Sequence, residues 1–170
     1  YRNSAGVWND SQSFTTTSGG GVQGKQVAVD AEGNAVAIWA GFYKLGIEVS
    51  YHGKNDSSWG APDVISAVTN SAGKTRQARV AINDVGEVVA VWVSRENGGS
   101  NWRILLKERA TNGTWSTAEV LYDGSALAAY PDIAFNADGD ILAVWQELIG
   151  GAMVVRGRYR DGDDNKWTAA

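Results

Sequence analysis

The chain repeats itself, and the repeat limits what it can fold into more than any other feature. Residues 27–39 read VAVDAEGNAVAIW, residues 80–92 read VAINDVGEVVAVW, and residues 133–145 read IAFNADGDILAVW. The three align without a gap, and Trp39, Trp92 and Trp145 stand 53 residues apart. A second tryptophan series, Trp8, Trp59, Trp115 and Trp167, follows at intervals of 51, 56 and 52. Two registered series sharing one period imply a structural unit used three times. Such units bury their apolar faces by stacking on one another.

Each unit reads as four short strands. Val27–Asp30 opens the first unit and runs into a turn that has Gly at the same place in every copy: Gly33, Gly86 and Gly139. A tight hairpin with a bulge needs a residue of positive φ there. The second strand is Ala35–Trp39. A loop of variable length leads to the third, which is Ile47–Tyr51, Arg103–Lys107 or Met153–Arg158. A polar turn and a second-series Trp precede the fourth, seen in Asp63–Ile65, Glu119–Leu121 and Ser11–Phe14. No stretch places apolar residues at i, i+3, i+4 and i+7 over a helical length.

Four strands in a unit of about 40–50 residues is the period of a β-propeller blade. Ala28, Ala81 and Ala134, with Ala37, Ala90 and Ala143, supply small residues where neighbouring sheets approach. The expected fold class is therefore all-β: a β-propeller of four-stranded antiparallel blades, about three per chain, as a half-propeller or propeller fragment. The repeats fall at roughly 15–65, 66–121 and 122–170, with 1–14 supplying a fourth strand to a neighbouring or partner blade.

The pattern V-A-x-[DN]-x-x-G-x-x-x-A-x-W, followed by a turn and another Trp, resembles the β-propeller repeats of bacterial exported proteins. It is more distantly similar to sialidase-like propellers, whose Asp-box S-x-D-x-G-x-x-W lies between the third and fourth strands. The turns RNSAGVW, GKNDSSW, ATNGTW and RDGDDNKW occupy the corresponding place, without Gly three residues before Trp. The resemblance implies a propeller, an extracellular or periplasmic location and ligands of the carbohydrate class. The chain opens at Tyr1 with no leader-like stretch, as a processed protein or part of a longer one does.

Three blades are too few for the usual closed ring of 4–8. Two accounts fit: a piece of a six- to eight-bladed parent, or a homodimer closing a six-bladed ring with strand exchange.

Composition removes several classes of function. A net charge of -4 and a pI near 4.9 argue against binding nucleic acid through phosphate neutralisation. No apolar run approaches the ~20 residues of a membrane-inserted helix. There is no Cys for a disulfide or thiolate metal site. The Asp/Asn-rich turns after the first strands offer hard oxygens of the kind calcium takes. The same residues are what hairpin turns use for local hydrogen bonds, so the expectation is no cofactor, with calcium as the alternative use.

Candidate ligand contacts are aromatics and polar residues outside the repeat register. Phe42 and Tyr43 lie in the loop after the second strand of the first unit; Asn101, Trp102 and Arg103 end the matching loop in the second; Tyr130 precedes a first strand. In a propeller the second-to-third and fourth-to-first connections share one rim, so these residues belong to a common face, and loops on rigid scaffolds commonly carry function. His52, the single histidine, reads as a surface residue. Glu147, Asp132 and Glu96 are available carboxylates, but no spacing selects a catalytic pair among them. Arg76, Arg79, Arg95 and Arg103 gather in the second repeat. The function expected is a non-catalytic, lectin-like carbohydrate-binding module. A sialidase-like glycoside hydrolase or lyase fragment and a protein-interaction scaffold are the alternatives.

Overall fold

The computed structural model describes residues 11–13, 22–41, 46–66, 74–95 and 101–169. The first unit forms β1 (Val22–Val29), β2 (Ala35–Gly41), β3 (Ile47–His52) and β4 (Asp63–Ser66). The second forms β5 (Lys74–Ile82), β6 (Val88–Arg95), β7 (Trp102–Arg109) and β8 (Glu119–Gly124). The third forms β9 (Ala128–Phe135), β10 (Ile141–Ile149) and β11 (Ala152–Arg160). Every pairing is antiparallel between consecutive strands, giving sheets β1-β2-β3-β4, β5-β6-β7-β8 and β9-β10-β11. The described residues are all-β and propeller-like, forming three antiparallel sheets (blades 1 to 3) stacked in sequence.

The stacking follows from the two-residue alternation of each strand. One face of blade 1 presents Val36, Ile38, Ala40, Ile47, Val49 and Ile65 to the Ala78, Val80, Val88, Ala90 and Trp92 face of blade 2. The other face of blade 2 presents Val89, Val91, Val93, Ile104, Leu106 and Leu121 to Ala128, Ile141, Ala143 and Trp145 of blade 3. Val88 to Val93 are each 0% exposed because β6 is covered on both sides. Full burial of each such side chain is worth about 1.5–3 kcal/mol. Trp92 and Trp145 lie in these cores, at 0% and 1% exposure, while Trp39, 5% exposed, points to the other face of blade 1 and donates its indole N–H to the buried Glu48 at 3.0 Å. Trp59, Trp115 and Trp167 are half-buried at the ends of the third-to-fourth connections.

The Gly turns take the form that their sequence requires. Gly33, Gly86 and Gly139 have φ of 94°, 84° and 86°. In each turn the first residue's side-chain oxygen accepts the N–H of the fifth: Asp30 from Asn34 at 2.8 Å, Asn83 from Glu87 at 2.9 Å and Asn136 from Asp140 at 2.9 Å. The same pairs also bond side chain to side chain, at 2.7, 2.9 and 3.0 Å. These oxygens are thus engaged within the turns, and no group of three or more His, Asp or Glu able to hold a metal occurs among the described residues.

The first strands differ from the sequence expectation. β1 begins at Val22, five residues before Val27, and β5 and β9 are extended in the same way. Each passes through a bulge centred on a residue of positive φ: Gly24 at 62°, Gln77 at 55° and Tyr130 at 51°. The bulge interrupts the alternation that marks a strand in sequence, which is why the preceding residues look like loop. Ser11–Ser13 form no strand; Gln12 clamps the backbone of Trp59, accepting its N–H at 2.8 Å. The rest of the 1–14 segment lies outside the described residues.

Candidate ligand-binding rim

The ends of β2, β6 and β10 and the starts of β3, β7 and β11 define one rim of the stack. Asn101, Trp102 and Arg103 meet there, at the start of β7. Asp123, near the end of β8, accepts from Arg103 Nε at 2.8 Å and from Asn101 Nδ2 at 3.0 Å. This fixes the guanidinium by pairing an edge strand to its neighbour across the Arg103–Asp123 register. Trp102 carries two further guanidinium groups: Arg76 of β5 lies 4.8 Å from its ring centroid and Arg95 of β6 lies 5.3 Å away. Such contacts hold cations on an aromatic face at modest gain. Arg76 Nε is buried and makes no hydrogen bond among the described residues. Arg79 turns away and bonds the Ala78 carbonyl.

Tyr130 joins this arrangement through its backbone. Its N–H donates to the Gln77 side-chain oxygen at 2.9 Å, and Gln77 follows Arg76 in β5. Its own ring is 60% exposed, since the left-handed backbone swings the side chain out of the sheet. A neighbouring strip adds Tyr122 and Glu147. Burial pushes the Tyr122 phenol up, and the charge and hydrogen bond of Glu147 push it further the same way. Glu147 also pairs with Arg156 at 3.5 Å. Phe42, Tyr43 and Glu96 lie outside the described residues.

The structure thus brings Asn101, Trp102, Arg103 and Tyr130 to one rim and adds Asp123, Gln77 and the two arginines on Trp102. Asp123 and Gln77 were not singled out from sequence. The positions of Gly24, Gln77 and Tyr130, 53 residues apart, carried the signal, because they occupy one register in the repeat. Asp132 does not join the rim cluster; its carboxylate bonds its own neighbour's amide, at Ile133. His52 packs edge-on against Trp59, 5.4 Å between centroids.

A concavity of about 440 Å³ lies at the opposite end, between blades 2 and 3, lined by Glu87, Glu108, Arg109, Trp115 and Phe135 among others. Its charged groups are committed. Glu108 forms a two-pronged pair with Arg160 at 2.6 Å on both arms, Glu87 bonds Asn83, and Arg109 stacks on Tyr51 of blade 1 at 4.5 Å. It reads as the seam where blades lock together.

No protein-family model matches the chain, and no curated protein matches it. Among solved structures, it is similar in fold to an endo-arabinase from Bacteroides thetaiotaomicron VPI-5482, with a TM-score of 0.52 and 13% identity. The match covers 86% of this chain and 57% of the endo-arabinase, so this chain spans little more than half of that protein.

Proposed function

We propose that this chain is a carbohydrate-binding propeller module and that the rim shared by blades 2 and 3 is its binding surface. One observation carries the reading: Tyr130, exposed and held by Gln77, lies on the same rim as Trp102 with its arginines and the Arg103–Asp123 pair. An exposed aromatic ring stacks on a sugar face, while guanidinium and carboxylate groups held in place bond ring hydroxyls. Trp102 acts as the post that orients Arg76 and Arg95. The fold likeness to an endo-arabinase is consistent with a sugar ligand. Binding is favoured over hydrolysis because Asp123 and Glu147 are each held by an arginine, whereas glycoside hydrolysis needs one carboxyl group free to deliver a proton. Export across the membrane accords with such a role.

The test is an array of immobilised glycans that includes arabinan and uronic-acid oligosaccharides. Binding should be concentrated on a few structures and fall at least tenfold for Tyr130→Ala and for Trp102→Ala. A folded protein that binds nothing, or that binds equally well in both variants, removes the reading. Turnover of a bound glycoside, abolished by Glu147→Gln, would replace it with the enzymatic one.

A further inference from the structure

Both outer faces of the blade stack carry exposed apolar residues, although Trp39, Glu48 and Ser50 on the outer face of blade 1 are buried. On blade 1, Val27 and Val29 are 56% and 60% exposed. The residues in the same register of the next repeat, Val80 and Ile82, are 1% and 9% exposed against blade 1. On blade 3, Leu142 and Val155 are 47% and 73% exposed. Their counterparts in blade 2, Val89 and Ile104, are fully buried against blade 3. The strand pairings fix these correspondences: Gln146 opposes Val155 as Val93 opposes Ile104.

We infer that the open face of blade 3 receives the open face of blade 1 from a second copy of this chain, and reciprocally, so that two chains close one ring. Three observations select a second copy. The first is the equivalence of each open face to one already covered inside the chain. Gln146, in the register of buried Val93, makes the blade 3 face more polar, and Lys25 and Glu48, in the registers of Ala78 and Leu105, do so on blade 1.

The second is a match of size along the bulges. An added Cβ on Gly24 would sit 3.8 Å from the Gln77 backbone, so each bulge stands beside the next blade's bulge. The bulge of blade 3 carries the exposed Tyr130, and the next in the ring would be the partner's bulge, where Gly24 has no side chain to cover the Tyr130 ring, which stays open on the rim.

The third is the seam. The last-but-one residue of each third strand meets the last residue of the next blade's third strand, as the Tyr51 ring meets Arg109 and Glu108 meets Arg160. Continuing the series sets Tyr159, 39% exposed, beside the partner's His52.

Light scattering after size exclusion tests this across a dilution series. The expected species has twice the 18.1 kDa mass of one chain. Val155→Asp and Val27→Asp should each halve that mass. An equimolar mixture of the two variants should recover dimer, because one of its two interfaces is then wild-type on both sides. Circular dichroism checks that the variants fold, and Tyr159→Ala, a milder change, should weaken association severalfold if Val155→Asp does not fold. A wild-type monomer overturns the inference and leaves the faces to further blades of a longer chain. An open-ended series of higher masses overturns ring closure. A dimer that persists in both variants moves the contact elsewhere.

Discussion

Asp140 shows how much one side chain organises in the third repeat. It receives the Gly162 amide at 3.0 Å and the Asn136 side chain at 3.0 Å. Those bonds, the Gly162 amide foremost and the Tyr159 phenol among them, hold its carboxyl below the ordinary Asp value of 3.8. A depressed carboxyl contributes stability above its unfolded pKa and loses it as pH falls through the folded one. The Gly162 amide resonance should therefore stay fixed down through the usual Asp range and move only at lower pH; Asp140→Asn should remove that transition. Glycine matters most at the turn itself. Gly86→Ala places a side chain at φ of 84° and should cost about 1–2 kcal/mol in denaturant unfolding, against little for an exposed strand alanine.

Between elements, the blades are joined by a few polar links laid over a broad apolar contact. Gln26 accepts the Val80 amide at 2.7 Å, and Gln77 accepts the Tyr130 amide at 2.9 Å. Gln77→Ala should cost about 0.5–1 kcal/mol and speed hydrogen exchange at Tyr130, since a bond between blades is lost while the left-handed backbone remains. Arg160→Met should cost about 2 kcal/mol, because it leaves Glu108 beside an apolar seam without its two-pronged partner; calorimetry of the variant reads the change. The periodicity and the Gly turns of these elements were legible in sequence because both are local: alternation marks a strand, and a five-residue turn contains its own hydrogen bonds. The bulges were not. Gln77 and Tyr130 show no local sign of positive φ, and their conformation is maintained by contacts from an adjacent blade. Arg76 and Arg95 over Trp102 were hidden for a similar reason, since strand pairing across β5, β6 and β7 brings them together while their sequence spacing does not.

At the scale of the molecule, an acidic chain gathers Arg76, Arg95 and Arg103 on one rim and stacks its apolar surface between blades. Asn101, Trp102, Arg103 and Tyr130 were legible as rim residues because the order of strands in a blade fixes which connections share an end. The contacts that turn them into a site had to come from the fold. The opposite end holds a hollow, but its charges are committed to bonds within blade 2 and to links with blades 1 and 3. The most direct measurement is therefore an NMR titration of the labelled protein with the saccharide that binds best on the array. The Trp102 indole and Tyr130 amide should move together, while the Trp115 indole and the buried Trp92 and Trp145 indoles stay fixed. Movement centred on Trp115 with Trp102 and Tyr130 unchanged would place the ligand in the seam between blades and contradict the rim assignment.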